Sequence, residues 1–119
     1  MAIRIDRGEF DEKNGRFRYF VSFTSGDVDN NDVQARVPVE VAVSVSETGE
    51  IADLAFQLPK VCRAETALSL LRNDPTAQNV DSRVFISIPG RSGDTVLSSA
   101  AELQVDAAGR ILAMNIHSF

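Results

Sequence analysis

The sequence predicts an α+β domain in which one helix packs on a predominantly antiparallel sheet of six to seven strands. Apolar and polar residues alternate in several segments, glycine and proline separate those segments, and a single stretch changes to helical spacing. With 119 residues, the chain has the length of a single domain, 1–119, that can bury one core.

The predicted strands share an alternation of apolar and polar side chains, and glycine, proline or a polar turn separates them. They cover residues 2–6, 16–24, 33–46, 51–58, 83–88, 96–106 and 110–117. Within the second strand, Phe17, Tyr19, Val21 and Phe23 share one face, which predicts that they are buried. Pro38 interrupts the start of the third strand, and because proline donates no backbone hydrogen bond, it indicates a sheet edge or a bend.

The predicted helix covers about residues 63–73. Ala64, Ala67, Leu68 and Leu71 lie at helical spacing. Of these, Ala64, Leu68 and Leu71 form the face expected to pack on the sheet, and Pro75 follows the end of the helix.

Two segments 60 residues apart follow the same pattern. Residues 43–56 and 103–116 each alternate, break at a polar turn that ends in glycine, and continue with isoleucine. Superposing Gly49 on Gly109 aligns five pairs of apolar residues: Val43 with Leu103, Val45 with Val105, Ile51 with Ile111, Leu54 with Met114, and Phe56 with Ile116. The pattern predicts two hairpins whose turns need glycine at positive φ. Either one hairpin has been duplicated, or two amphipathic hairpins resemble each other by convergence.

The segment FDEKNGRFRYFVSF, residues 10–23, resembles the start of a family of small uncharacterised bacterial domains. That family opens with an aromatic-Asp pair and closes with a hairpin of the form apolar-x-apolar-Asp-x-x-Gly-x-Ile. The closing pattern fits residues 103–116, with Asp106, and also residues 43–56, where Ser46 replaces the aspartate. The resemblance implies a β-rich fold and no chemistry, and the helix predicted after Pro59 departs from it.

The charge balance argues against two classes of partner. The chain has 17 acidic and 12 basic residues and a net charge of −5, which opposes attraction to nucleic acid and to anionic lipid. No apolar run approaches the roughly 20 residues of a membrane span. Because Cys62 is the only cysteine, it cannot form an internal disulfide, and we predict a cytoplasmic protein.

The sequence DVDNND, residues 27–32, has a partial likeness to a calcium loop. Asp27, Asp29 and Asn31 occupy the first three ligand positions of an EF-hand, but Asp32 and Pro38 stand where the loop needs glycine and a bidentate glutamate. An Asx-rich turn is the better interpretation, and we predict no metal and no cofactor.

The aromatic strand at 16–24 has a partial likeness to a base-stacking RNA-recognition strand. Phe17 and Arg18 stand where that signature needs glycine and its first stacking aromatic. Core formation is therefore the better interpretation of these aromatics, with Arg16 and Arg18 on the wetter face.

No arrangement of residues predicts catalysis. A dyad of Cys62 and His117 lacks a motif around either residue, although a position at a helix start would lower the pKa of the Cys62 thiol. The alternative is that Cys62 is a small buried apolar residue. Carboxylates cluster at turns, where charge is ordinarily solvated, and the glycines of 90–94 lack the features of a phosphate loop. These carboxylates are Glu9, Asp11, Glu12, Glu47, Glu50 and Asp53.

One helix covers only part of such a sheet, which leaves apolar area for an interface. Candidates for this area are Phe10, Phe20, Phe56 and Phe119. We therefore predict a non-enzymatic protein-interaction or self-assembly module, most simply a homodimer. The alternative is a small-ligand-binding protein or small enzyme with a pocket between the two hairpins.

Overall fold

The computed structural model describes residues 4–11, 16–24, 29–47, 50–63, 65–68, 77–80, 82–88, 90, 93 and 95–117. Its strands are β1 (Arg4–Asp11), β2 (Arg16–Ser22), β3 (Ala35–Val45), β4 (Ile51–Gln57), β5 (Ala77–Val80), β6 (Arg83–Ser87), β7 (Thr95–Val105) and β8 (Ile111–His117). One turn of 3-10 helix, Asn30–Asp32, precedes β3.

These eight strands form a single sheet in the order β1-β2-β8-β7-β3-β4-β6-β5. All the neighbouring pairs are antiparallel. Strands consecutive in the chain form four hairpins, but the β7–β8 hairpin lies between β1–β2 and β3–β4. The longest ladder joins β3 to β7, from Ala35 opposite Val105 to Val45 opposite Thr95.

The sheet buries one face against itself. Side chains alternate across a strand, so each strand contributes every second residue to the core. The radius of gyration is 13.5 Å, about the value of a compact chain of this length. The sheet therefore curls around its own apolar face. The largest fully buried side chains are Phe23, Phe56, Ile51, Leu54, Ile86, Leu103, Ile111, Met114, Ile116, Val21, Val41 and Val43.

The α+β prediction is wrong, because the described residues contain almost no helix. Within the predicted helix at 63–73, the structure describes Arg63 and residues 65–68, which form turns, and the remainder lies outside the described residues. Ala67 donates its N–H to the carbonyl of Arg63 (2.7 Å), but its own carbonyl accepts from Ile111 N in β8 (2.9 Å). The segment is thus tied to the first residue of β8, and of its predicted packing residues Leu68 does contact the core.

Each of the seven predicted strands overlaps an observed one, and β5 is the additional eighth. Pro38 lies where the edge prediction places it: β3 pairs with β7 along its length, but β4 pairs with β3 only from Val41 to Val45. Proline thus occurs where β3 has a described neighbour on one side.

The turn between β7 and β8 has the predicted glycine geometry, since Gly109 has φ of +80°. Gly49, its counterpart in the first hairpin, lies outside the described residues. The five aligned apolar pairs of these hairpins are all buried.

Candidate interaction surface

The outward face of the sheet carries mainly small and polar side chains. Among the described side chains, the exposed large apolar ones are Val61 (53% exposed), Phe85 (44%) and Val96 (72%). Phe85 and Val96 line the same depression of about 280 Å³, which we call the Phe85 groove. Its outward-facing residues are Ala42, Ser44, Asp53, Ala55, Phe85, Ser87 and Val96.

Strand register places these residues in two rows across the sheet. Val96 lies opposite Ser44, and Ser44 lies opposite Asp53. In the next row, Ala42 lies opposite Ala55, which in turn lies opposite Phe85. The small side chains in the middle of each row leave the depression between Phe85 and Val96.

The alternation in β6 points Phe85 outward. Val84 and Ile86 occupy the core on either side of it, so the residue between them must face away. Two residues earlier on the same face, the Arg83 guanidinium lies 5.7 Å from the centre of the Phe85 ring. This distance is that of a cation–π contact, which holds a charge beside the apolar surface.

The Phe85 groove has opposite charges at its two ends. Arg83 pairs with Gln57 at one end of the β4–β6 ladder, and Asp53 pairs with Ser87 at the other. The two charged positions are about 13 Å apart along the strands, at about 3.3 Å a residue.

A second groove lies over β2, β8 and β7, with a volume of about 630 Å³. We call it the Phe20 groove; its lining includes Arg18, Phe20, Glu102, Gln104, Asn115 and His117. Glu102 also accepts from Arg36 at 3.4 Å, in a partly exposed ion pair. This groove is polar, whereas the Phe85 groove is mainly apolar. Each groove lies along one of the two predicted hairpins.

The predicted calcium-like segment forms a capped turn where it is described. The Oδ1 atom of Asp29 accepts from Asn31 N at 2.9 Å, and Asp32 N donates to the Asp29 carbonyl at 2.9 Å. Asp27 lies outside the described residues. Within the part of the chain that the structure describes, no group of three His, Cys, Asp or Glu side chains could hold a metal ion.

Cys62 and His117 occupy different settings. Cys62 is buried in the segment after β4, and this burial raises the pKa of its thiol, contrary to the effect expected at a helix start. His117 ends β8 and lines the Phe20 groove, whose described lining includes no cysteine.

The predicted carboxylates differ in position. Glu47 and Glu50 are exposed at the β3–β4 turn, as expected for solvated charges, and Asp53 lines the Phe85 groove.

The predicted apolar patch is partly wrong. Phe56 is fully buried, since it faces inward between the outward-facing Ala55 and Gln57. Phe20 does face outward and is half-buried, while Phe119 and the side chain of Phe10 lie outside the described residues. Phe85 and Val96 were not among the residues predicted for this patch. The alternation RVFIS at 83–87 is the signal that could have found Phe85.

Asp106, the aspartate of the closing hairpin pattern, stabilises the β7–β8 turn. Its Oδ1 accepts from the N–H groups of Ala108 and Arg110, both at 2.9 Å, and its Oδ2 accepts from Arg110 Nε at 2.7 Å. Burial alone would raise the pKa of this carboxyl, but the bonds from Arg110 and Ala108 outweigh it and lower the pKa. These contacts of Asp106 all lie within the turn, and they account for the aspartate without any ligand.

Comparison with protein-family models, curated proteins and solved structures finds no match to this chain. None of the helical segments described here has the length and apolar character to cross a membrane.

Proposed function

We propose that this protein is a non-enzymatic self-assembly module that forms a symmetric homodimer through the Phe85 groove. The observation that carries the proposal is the exposure of Phe85 and Val96 on one face, at the two sides of the mainly apolar groove that both line. Contiguous apolar surface bordered by polar residues is typical of protein–protein interfaces.

The charges at the groove ends favour a second copy as the partner. Two copies can pack with their Phe85 grooves face to face, related by a two-fold axis that lies between the faces and perpendicular to β6. This axis places the Arg83 end of one copy over the Asp53 end of the other. Both charge contacts then form at once, because an isologous interface repeats each contact. Phe85 would lie near the axis and pack against its equivalent.

The composition of the groove supports binding rather than catalysis. Asp53 is the one titratable side chain among the described residues that line it. General acid–base catalysis needs a second group that converges on the same substrate.

The experiment is sedimentation velocity across a range of protein concentrations. We expect a monomer–dimer equilibrium for the wild type, weakened at least tenfold by F85S and by V96S because each removes apolar contact area. V61S is the matched control, since Val61 is also exposed but lies outside the Phe85 groove. Circular dichroism checks that each variant is folded.

A charge exchange tests the geometry. R83D and D53R should each dissociate the dimer, because each places like charges together at both ends. Mixing the two variants should restore a heterodimer in which both contacts again join opposite charges. A wild type that stays monomeric, or a mixture that does not associate, would contradict the proposal.

The Phe20 groove supports a second candidate, the binding of a small polar ligand. Its volume lies in the range of small-molecule sites, and its lining combines aromatic with charged and amide residues. Nuclear magnetic resonance with small carboxylate and amide fragments tests it. Shifts at Asn115 and His117 that N115A abolishes would favour this function, and an unperturbed spectrum would rule it out for these probes.

We further propose a cytoplasmic location, supported by the single cysteine, and no nucleic-acid partner, supported by the net charge of −5. We also propose a relationship to the small uncharacterised bacterial domains, supported by residues 10–23 and by the hairpin that contains Asp106.

A further inference from the structure

The strand order has an internal symmetry. We define the N-terminal half as β1–β4 and the C-terminal half as β5–β8. Reading the sheet order β1-β2-β8-β7-β3-β4-β6-β5 backwards, and exchanging each strand with its counterpart in the other half, returns the same order. This arrangement is that of two equivalent units about a two-fold axis.

The second hairpins of the halves correspond residue by residue at an offset of 60. β3 begins at Ala35 and β7 at Thr95, while β4 begins at Ile51 and β8 at Ile111. Each hairpin has a register shift at the same place, between Ser44 and Val45 in one and between Gln104 and Val105 in the other.

The two turns also have matching hydrogen bonds. Ser46 N donates to the Glu50 carbonyl at 2.8 Å, and Asp106 N donates to the Arg110 carbonyl at 3.0 Å. In the reverse direction, Glu50 N donates to Ser46 Oγ and Arg110 N to Asp106 Oδ1.

The first hairpins correspond at an offset of 65. Residues 18–23 read RYFVSF and residues 83–88 read RVFISI, so arginine, phenylalanine and serine recur at the same outward or strand-end positions. The alternate residues are buried in both segments: Tyr19, Val21 and Phe23 in one, and Val84, Ile86 and Ile88 in the other.

A pair of long-range hydrogen bonds connects the matched residues of the first hairpins to the matched residues of the second hairpins. Phe23 N donates to the Leu112 carbonyl at 2.9 Å, and Ile88 N donates to the Ala52 carbonyl at 2.7 Å. Ala52 and Leu112 are the extra residues at the two register shifts. The same bond therefore forms twice, each time from the first hairpin of one half to the second hairpin of the other. Convergence of amphipathic hairpins does not require this agreement.

In neither half do the described hairpins pair with each other. β2 pairs with β8 and β6 with β4, so each first hairpin completes the opposite half. The β3–β7 ladder joins the halves as well. The contacts that hold the sheet together at its centre are thus contacts between halves.

We infer that the chain is a tandem duplication of one four-stranded unit, and that the surface between its halves is an interaction surface for a second copy of the chain. Two chains exchange C-terminal halves, and each sheet in the dimer then contains one half from either chain. The same residue contacts form in both states, so protein concentration and the connection between the halves decide which state is populated.

The position of the internal axis provides the test. Glu40 lies opposite Ala100 at the centre of the β3–β7 ladder, and both side chains are exposed. A chain with E40C, A100C and C62A has thiols only at these sites. F85S is added to remove association through the Phe85 groove, so the two proposals are tested separately. The protein is unfolded, refolded at low or high concentration, and then oxidised.

Dilute refolding should give monomers with an internal disulfide. Concentrated refolding should give covalent dimers at least several times more abundant, with the circular dichroism of the monomer. Mixing isotopically light and heavy chains before refolding should yield crosslinked peptides that contain one light and one heavy strand.

The matched control is E102C and N115C in the same C62A and F85S background. These positions lie opposite each other in β7 and β8, within one half, so their disulfide should stay internal at both concentrations. An absence of dimer from the E40C and A100C chain, or equal dimer fractions in both chains, would overturn the inference.

Discussion

Arg110 Nε donates to Asp106 Oδ2 at 2.7 Å across the turn that joins β7 to β8. Asp106 is nearly buried, so this ion pair is formed by a carboxylate with little access to water. The other carboxylate oxygen accepts two backbone N–H groups of the same turn. The charge of Asp106 and the conformation of the β7–β8 turn therefore depend on each other.

The first prediction is that D106A destabilises the protein by about 1–3 kcal/mol, the usual cost of leaving buried polar groups without partners. D106N should cost less, because the amide oxygen still accepts from the backbone and only the ion pair is lost. Chemical denaturation at neutral pH measures both. S46A is the control in the other hairpin, where Ser46 Oγ accepts one N–H at 3.2 Å, and it should cost less than D106A.

The second prediction concerns pH. Because the folded-state pKa of Asp106 is lowered, its stabilisation is complete above the unfolded pKa of about 3.9 and is lost as pH falls through the folded pKa. The wild type should lose stability over this acid range, and D106N should lose less. Equal acid slopes of the free energy of unfolding in the two proteins would show that Asp106 does not contribute.

The third prediction separates two effects of a substitution at Gly109, backbone strain and a steric clash, by comparison with Gly90. Gly90 and Gly109 have φ of +79° and +80°, so alanine is similarly strained at both positions. An added Cβ at Gly90 meets nothing within 4 Å, but at Gly109 it lies 2.9 Å from Arg63 N. We expect G90A to cost about 1 kcal/mol and G109A clearly more, because the clash adds to the strain. Thermal denaturation of the two variants checks this order, and equal losses would contradict it.

Much of the sheet was predictable because alternation is a local signal. The buried positions of β2, β3 and β6 follow directly from it. The glycine between β7 and β8 was predictable from a second local signal, the polar turn between two alternating segments. β5 is short and reads AQNV, which carries no alternation that a sequence pattern could detect. Where the predicted helix is described, residues 65–68 form turns instead, and the apolar spacing that indicated a helix buries Ala67 from a turn. The Ala67 carbonyl bonds to Ile111, a residue distant in the sequence.

The candidate surface was less predictable, because it depends on strand order. Phe85 on β6 and Val96 on β7 line one groove because β4 and β3 lie between their strands, and only Phe85 was detectable from its own segment. The likeness of residues 18–23 to 83–88 was present in the sequence. Its offset of 65 differs from the 60 of the second hairpins, because the connection from β2 to β3 is longer than that from β6 to β7.

The fourth prediction is that Cys62 is chemically inert. Its burial raises the pKa of the thiol, which lowers the thiolate fraction at neutral pH. Alkylation of the native protein at pH 7 should therefore be much slower than that of a free thiol, and C62A should fold normally. The unfolded protein is the control, and its alkylation should be fast. Rapid modification of the native protein would contradict the burial of Cys62.

The last prediction concerns Phe56 and Ile116, which occupy equivalent places in β4 and β8 and are both fully buried. Truncation to alanine leaves a cavity in either case, so F56A should cost about 3–5 kcal/mol and I116A about 2–5 kcal/mol. Phe20 provides the control, because it is half-buried on the outward face, where the chain can expose the space left by F20A to water. We therefore expect F20A to cost less than F56A, although the same side chain is removed. Chemical denaturation measures all three. A loss for F20A equal to that for F56A would contradict the assignment of the two faces of the sheet.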